Sequence, residues 1–383
     1  MRVALLGTGV GLAAGVLSAC SAPAPAAPTS APQAAPTSGA PAATSKAETK
    51  GSAAAPTAAP GVSGTAATAA DVAKAKQEGA VMLYTSLDTK IVDSIIQPFQ
   101  ERYGIKVEYF RAGSAQVSGK VLAEADAGKV LADVVDASDV GAFLAMKERG
   151  LLKPYESPAA KSVPKELRDP DGTWVADRLT QAIIQWNTSA VGGSPPKSWK
   201  DLVDGKYSGK LAFFSSSAGD GAPRLYNLAQ VFGWDLLQGL AANKPLRVDT
   251  PQLLTQVLEK GERAVAFAQN DNIAWRSKLE GKPTDYIFPS EGVPTELGAV
   301  GLPKDAPHPN AAMLFYDWWM GDEGQRLLVE GGKYSSRTDL APPEGSVPLS
   351  QIKTLVLDYA EYQSQRKEIL KRMAEIFGGE WGG

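Results

Sequence analysis

The sequence predicts an α/β protein whose body folds into two lobes that face each other across a cleft. One observation is that strand-like apolar runs alternate with helix-like amphipathic runs in both halves of the body. A second is that the body, about residues 69–378, is long enough for two domains. A third is that small polar segments follow the predicted strands. Ligands of parallel sheets bind beyond the carboxyl ends of the strands, so these segments predict a binding surface.

The first half of the body predicts three strand–helix units in succession. The strands are "AVMLYTS", "IKVEYF" and "ADVVDAS", and the helix after the first carries Ile91, Ile95 and Phe99 on one i,i+4 row. Gly104 is expected to end that helix, and Pro98 to kink it. This order implies a parallel sheet with right-handed crossovers.

The second half repeats the alternation. Its predicted strands are "TQAIIQWN", the segment 210–214, "AVAFA", "TDYIFPSEG" and "LGAVGLP". The segment "PNAAMLFYDWWMGDEGQRLLVEGG" predicts a helical hairpin, and residues 350–379 predict a pair of C-terminal helices. The two halves therefore predict two similar α/β lobes.

The amino terminus predicts export and anchoring. "MRVALLGTGVGLAAGVLSAC" has one basic residue and a short apolar run, which is typical of a secretory signal over residues 1–20. It ends at Cys20, the only cysteine, and resembles the lipobox of bacterial lipoproteins, in which that cysteine is lipidated. An ordinary signal peptide with a chance cysteine is the alternative. Residues 21–68 are nearly all Ala, Pro, Ser, Thr and Gly, which predicts a disordered linker.

Composition excludes several function classes. A net charge of −3 gives no basic surface for nucleic acid. One cysteine and one histidine exclude an intrachain disulfide and a zinc site of Cys and His ligands. His308 lies between prolines and is expected to be a solvated loop residue, which makes a Ser-His-Asp triad improbable. We therefore expect no catalytic residue, no bound metal and no cofactor.

Seven residues are the candidate ligand-binding set. Hydroxyls follow strands at Ser86, Ser138 and Ser216, and "AVAFA" runs into three polar residues that either hold a ligand or turn the chain. Arg178, near the expected crossing between the lobes, either clamps a carboxylate or phosphate or forms a surface ion pair. Each strand-end hydroxyl has the alternative role of a helix cap. The complete set is Ser86, Ser138, Arg178, Ser216, Asn270, Asp271 and Asn272.

Several segments in order carry a family resemblance. "VMLYTSLDTKIVDSIIQPFQERYGIKVEYF", "IIQWNTSAVGGSPPKSWKDLVDGKYSGKLAFFSSS", "GERAVAFAQND" and "VGLPKDAPHPNAAMLFYDWWMGDEGQ" resemble solute-binding lipoproteins of ABC importers, of the ferric-iron type. The resemblance covers about residues 72–345. It implies a flytrap (periplasmic-binding-protein) fold with hinge strands near 176–182 and 296–302. Lobe 1 would comprise 69–178 plus 300–345, lobe 2 would comprise 182–297, and 346–383 would form C-terminal helices and a tail.

The resemblance also implies a function and partners. The expected protein is a monomer that captures a small solute outside the cytoplasm, in the periplasm or on the outer face of the membrane. It would deliver this solute to an ABC permease of the inner membrane, while lipidated Cys20 anchors it. Ferric binders of this type carry a Tyr pair after the strand that "AVAFA" matches, where this chain has Asn270, Asp271 and Asn272.

That departure favours a small polar or anionic organic solute. Ferric iron or an iron chelate is the alternative ligand. An extracytoplasmic enzyme, or a surface sensory lipoprotein on the same fold, is the alternative from another class.

Overall fold

The computed structural model describes residues 69–216 and 221–381. The predicted signal peptide, Cys20 and the linker predicted for 21–68 lie outside these residues. The described residues all belong to one compact unit.

Helices alternate with strands along most of the described chain. The α-helices are α1 (Ala69–Glu78), α2 (Thr89–Tyr103), α3 (Ser114–Asp126), α4 (Val140–Glu148), α5 (Ala222–Phe232), α6 (Trp234–Ala242), α7 (Pro251–Glu259), α8 (Asp271–Leu279), α9 (Pro309–Met320), α10 (Asp322–Glu330) and α11 (Tyr359–Phe377). The strands are β1 (Ala80–Thr85), β2 (Lys106–Arg111), β3 (Val134–Ala137), β4 (Leu152–Lys153), β5 (Trp174–Asn187), β6 (Leu211–Phe214), β7 (Leu246–Val248), β8 (Val265–Asn270), β9 (Thr284–Ile287), β10 (Val293–Pro303), β11 (Tyr334–Ser335) and β12 (Thr354–Val356).

The main sheet contains two parallel groups of strands joined by two long strands. Its order is β2-β1-β3-β10-β5-β8-β6-β7, in which β1 is parallel to β2 and β3, and β6 is parallel to β7 and β8. Between the groups, β10 and β5 pair antiparallel from Thr295↔Gln181 to Gly301↔Trp174. The predicted hinge segments 176–182 and 296–302 lie within these two strands.

The predicted helical hairpin is confirmed, and it packs on the first parallel group. Phe99 of α2 meets Phe315 of α9 edge-on at 4.9 Å, and both side chains are fully buried. Burial of a Phe side chain contributes about 1.5–3 kcal/mol, so this contact holds α2 and α9 together. In the second group, Phe213 of β6 stacks on Phe267 of β8 at 5.1 Å.

Two of the differences from the sequence prediction concern the C-terminal segment and strand β5. The predicted C-terminal helix pair is wrong: the segment "TLV" is strand β12, which pairs with β10, and a single helix, α11, follows it. The β-branched residues Thr354 and Val356 favour a strand. The side chain of Asp358 caps the start of α11 by accepting a hydrogen bond from the Glu361 N–H. The other difference is β5, which begins at Trp174, six residues before the predicted strand.

Pro98 lies inside α2, which continues to Tyr103. Gly104 ends this helix with a left-handed φ of 69°, as predicted.

Candidate functional site

A cavity of about 790 Å³ opens at the strand ends of both parallel groups. Ser86, Ser114 and Ser138 line it just beyond β1, β2 and β3, and Phe214 and Asn270 line it at the ends of β6 and β8. Small-molecule sites in proteins usually enclose about 300–1,000 Å³, so the cavity has the size of such a site.

Arg178 gathers two of the predicted hydroxyls at this cavity. Its Nη2 donates hydrogen bonds of 3.2 Å to the Oγ atoms of Ser86 and Ser138. The backbone N–H of Ser138 donates to the Oγ of Ser86 at 3.3 Å and to the Oγ of Ser114 at 3.2 Å. The ends of β1 and β3 and the start of α3 are therefore held in one network around Arg178.

The charge of Arg178 is neutralised inside the protein. Its guanidinium, which is 1% exposed, pairs with Asp136 and with Asp177 at 2.9 Å, and Asp177 also accepts from the Trp319 indole N–H at 3.0 Å. Burial raises the pKa of Asp136 to about 6, although Arg178 opposes this. Arg178 was predicted to clamp a ligand or, alternatively, to form a surface ion pair; the structure shows a buried ion pair instead, through which Arg178 positions Ser86 and Ser138.

A backbone irregularity aims the Asn270–Asn272 segment at the cavity. The pairing of β5 with β8 shifts between Ile183 and Gln185, and buried Ala268 has a left-handed φ of 55°. Such bulges redirect side chains at functional sites. Here Arg224 of α5 donates to the Ala268 carbonyl at 3.1 Å and also to the Asn270 side-chain oxygen.

The three polar residues of this segment have different positions. Asn270 and Asn272 line the cavity, and Asp271 is not among the described lining residues. Asp271 is buried, and its Oδ1 accepts from the Gln181 N–H at 3.1 Å. Burial raises the pKa of Asp271 to about 7, opposed chiefly by the positive charge of Lys333. The second oxygen of Asp271 has no hydrogen-bond partner among the described residues.

Charged residues that the sequence did not single out also line the cavity, among them Arg224, Glu296 and Lys333. Arg224 pairs with Glu296 of β10, and buried Lys333 donates to the Asn272 Oδ1 at 2.9 Å and to the Thr180 hydroxyl at 3.3 Å. Arg224 lies in the first turn of α5, the helix that follows strand β6. The other candidate residues were predicted from the same kind of position, next to the end of a strand. No comparable pattern marks Lys333, which lies in the turn after α10.

Helix N-termini make up much of the cavity wall. Asp88, Asp139 and Thr250 cap α2, α4 and α7 with side-chain oxygens. At α3, whose N-cap is Gly113, the Gln116 side chain accepts from the Gly113 N–H at 3.3 Å. The N-caps of α5 and α8, Gly221 and Asn270, make no side-chain cap hydrogen bond among the described residues. Uncapped helix N-termini favour an anionic group.

Ser216 and His308 lie elsewhere. Ser216 is not among the described lining residues, and its backbone carbonyl accepts from Arg247 at 3.0 Å. His308 was expected to be a solvated loop residue, but its imidazole contacts another side chain. The Nδ1 atom lies 2.9 Å from the Asp133 carboxylate, and the side chain is 35% exposed.

Over 69–216 and 221–381, no group of three or more His, Cys, Asp or Glu side chains is placed to hold a metal ion. Within the same ranges, no helix combines the length and apolar character needed to cross a bilayer.

Two α/β groups of strands around a polar cavity define the class of extracytoplasmic binding proteins. The profile of the family described as bacterial extracellular solute-binding protein matches residues 94–348, and the chain belongs to this family. The chain is similar to iron uptake protein A2 of Synechocystis, with 24% identity over 67% of this chain and 77% of that protein.

Two solved structures show the same fold. Iron-bound HitA from Pseudomonas aeruginosa is similar with a TM-score of 0.67 and 20% identity, over 76% of this chain and 99% of that one. The periplasmic binding protein AfuA from Actinobacillus pleuropneumoniae, with fructose-6-phosphate bound, has a TM-score of 0.67 and 23% identity, over 78% and 98%.

These similarities confirm the family and the two-lobed fold class predicted from the sequence. The chain is a solute-binding component of an ABC importer that works outside the cytoplasm. The family and its structural neighbours are substrate-binding proteins of transporters, not enzymes.

Proposed function

We propose that this chain captures a small polar or anionic organic solute in the cavity described above and delivers it to the permease as a lipid-anchored monomer. The observation that carries the proposal is the cavity wall. It combines the amides of Asn270 and Asn272, the hydroxyls of Ser86 and Ser138, and the N-termini of α5 and α8, whose N-caps make no side-chain cap hydrogen bond. Such groups suit an oxygen-rich ligand held by hydrogen bonds.

Closure would desolvate the ligand between the two lobes. The proposed division places 69–178 and 300–345 in lobe 1 and 182–297 in lobe 2, with β5 and β10 as the hinges. This is supported by the position of both strands between the two parallel groups. A ligand that contacts both lobes stabilises the closed form, which the permease would recognise.

A thermal-shift screen of the protein without residues 1–68 tests the proposal. A bound solute raises the free energy of unfolding by RT ln(1 + [L]/Kd), about 2.7 kcal/mol at a hundredfold excess over Kd. We expect stabilisation by a subset of sugar phosphates, carboxylates or phosphonates, and a co-purified ligand of that kind in native mass spectra. If no organic solute stabilises the protein, the proposal is wrong.

An iron chelate is the second candidate, because similar proteins are named for iron uptake or contain iron. Bare ferric iron has less support. Tyr362 is the one tyrosine among the described lining residues, and burial raises the pKa of its phenol to about 12, which disfavours a phenolate ligand.

Ferric citrate and citrate titrated in parallel separate these candidates. Phenolate coordination would give a visible charge-transfer colour. We expect a colourless complex and equal or weaker affinity for ferric citrate than for citrate. A coloured complex of higher affinity would establish iron as the cargo.

The lipid anchor rests on the sequence around Cys20. We expect the wild-type protein in the membrane fraction with a lipid-modified mature N-terminus at Cys20. Cys20→Ala should instead be found in the soluble extracytoplasmic fraction. Retention of Cys20→Ala in the membrane would contradict lipid anchoring and leave the solute-binding proposal intact.

A further inference from the structure

The C-terminal helix α11 lies beside the cavity and contacts elements of both parallel groups. It packs against α4 after the first group and against α5 and α6 after the second. Ile369, Leu370 and Met373 are buried in these contacts. The Leu297 N–H of β10 donates to the Tyr359 hydroxyl at 3.3 Å, which attaches the start of α11 to a long strand. The family profile ends at residue 348, so α11 lies beyond the matched residues.

One face of α11 forms part of the cavity wall. Tyr362, Gln363 and Arg366 of α11 line the cavity. The helix is seated closely on α4: a Cβ on Gly141 would lie 1.9 Å from the Gln363 Nε2. The packing of α11 against α4, α5 and α6 therefore fixes the position of this face at the cavity.

The charges that line the cavity differ in whether they are already paired. Arg178 is neutralised by Asp136 and Asp177, and Arg224 by Glu296. These guanidiniums hold the walls together and have little charge left for a ligand.

Arg366 and Arg111 are different. Within 69–216 and 221–381, neither guanidinium forms an ion pair with a carboxylate. The Arg111 Nε donates to the Leu87 carbonyl at 3.1 Å. Arg366 and Arg111 therefore line the cavity without an ion-pair partner among the described residues, together with the N-termini of α5 and α8, whose N-caps make no side-chain cap hydrogen bond.

We propose that Arg366 on α11 is a specificity-determining residue that binds a carboxylate or phosphate group of the captured solute, with Arg111 as a second cation in the same cavity. The planar guanidinium presents paired N–H donors that match either group bidentately. The proposal rests on the solute-binding function proposed above. It specifies that the solute carries a carboxylate or phosphate group and that helix α11 recognises this group.

The test compares Arg366→Gln with Lys367→Gln. Lys367 is the next residue on α11, is exposed and is not a lining residue, so its substitution removes the same charge outside the cavity. The probes are glucose 6-phosphate, citrate, inorganic phosphate and neutral glucose, measured by calorimetry at two salt concentrations. Arg366→Lys is a third variant that keeps the charge without the guanidinium fork.

We expect at least one acidic probe to bind the wild-type protein, with at least tenfold weaker binding by Arg366→Gln and a shallower salt dependence. Lys367→Gln should stay within about twofold of wild type, and Arg366→Lys should fall between. Unchanged affinity in Arg366→Gln, or an equal loss in Lys367→Gln, would overturn the proposal.

The two proposals fail in different ways. If the wild-type protein binds glucose or other neutral solutes but none of the acidic probes, the role of Arg366 is refuted and the solute-binding function stands. If neither acidic nor neutral solutes bind, both proposals are refuted.

Discussion

The amine of Lys333 donates a hydrogen bond of 2.9 Å to the side-chain oxygen of Asn272, and both residues are buried. Lys333 lies after α10, in the proposed lobe 1, and Asn272 lies in the first turn of α8, in the proposed lobe 2. Beside them, Asp271 has one oxygen without a partner among the described residues. Burial lowers the pKa of Lys333 to about 8 and raises that of Asp271 to about 7. The site therefore contains two groups whose ionisation is costly.

The first prediction is that Asp271→Asn removes a pH dependence of stability between about pH 4 and pH 7. An unfolded Asp has a pKa of about 3.9. The folded value is raised to about 7, so in this interval the folded state binds the extra proton, and the free energy of unfolding falls as pH rises. An asparagine cannot ionise, so the free energy of unfolding of the variant should increase relative to that of the wild type as pH rises.

Melting temperatures of both proteins from pH 4 to pH 8 test this. We expect the difference to favour Asp271→Asn by on the order of 2–4 kcal/mol at pH 7.5 and to shrink toward pH 4. Asp305→Asn, an exposed aspartate on the surface, is the control and should follow the wild-type curve. Parallel curves for wild type and Asp271→Asn would contradict the prediction.

The second prediction concerns Arg178. Arg178→Met leaves Asp136 and Asp177 buried without their cation, and loss of one partner of a buried ion pair costs about 3–5 kcal/mol. The loss should be smaller at pH 5 than at pH 7, because the pKa of Asp136, already about 6, rises further without Arg178. Protonation then removes the unpaired charge.

Denaturant unfolding followed by tryptophan fluorescence measures both effects. Arg149→Met is the control, because Arg149 forms an exposed pair with Asp126 that is worth about 0–1 kcal/mol. The double variant Arg178→Met/Asp136→Asn should recover part of the lost stability. A cost for Arg178→Met no larger than that of the control would show that the buried cluster is not structural.

The burial of Arg178 and its partners is a feature that could not be predicted from the sequence. Alternating apolar residues predicted "TQAIIQWN" as a strand, because its pattern is local. The preceding "WVAD" segment belongs to the same strand, but Asp177 and Arg178 interrupt the apolar pattern. Their partners are Asp136 and Trp319, far away in the sequence, so no local pattern indicates that these charges are buried.

The candidate residues divide in the same way. Ser86, Ser138 and Asn270 follow strands, and strand ends can be predicted, so their position at the cavity follows from topology. Lys333 reaches Asn272 across 61 positions of sequence. Arg366 lies on a helix that the sequence placed in a C-terminal pair outside both lobes. Contacts of this kind depend on tertiary packing, which periodicity does not encode.

The third prediction uses two glycines with similar backbone conformations. Gly221 has a φ of +91°, and a Cβ there would lie 2.7 Å from the Phe214 carbonyl oxygen; Gly209 has a φ of +68° and open space around it. Gly209→Ala should cost about 1–2 kcal/mol from the left-handed backbone alone. Gly221→Ala should cost clearly more, because a backbone atom cannot move aside.

Gly221 also lines the cavity and precedes α5, which carries Arg224. We therefore expect Gly221→Ala to weaken solute binding several-fold, whereas Gly209→Ala should change only the melting temperature. Equal effects of the two variants on both stability and affinity would show that the approach of Gly221 to Phe214 has no consequence.

The fourth prediction separates anionic from cationic solutes through Glu296. This carboxylate lines the cavity and pairs with Arg224, whose side chain is 4% exposed. Glu296→Gln keeps an oxygen that can accept from Arg224 but removes one negative charge from the wall. An anionic solute should then bind more tightly, by on the order of 1 kcal/mol or roughly fivefold.

Calorimetry with the solute found in the thermal-shift screen checks this, with Glu259→Gln as the control. Glu259 accepts a hydrogen bond from Ser277 and does not line the cavity, so its loss should leave the affinity unchanged. A cationic solute would bind Glu296→Gln more weakly than wild type, because Arg224 would then repel it without compensation from a neighbouring carboxylate. The sign of the change therefore reports the charge of the solute, and weaker binding of every solute by Glu296→Gln would contradict the anionic assignment.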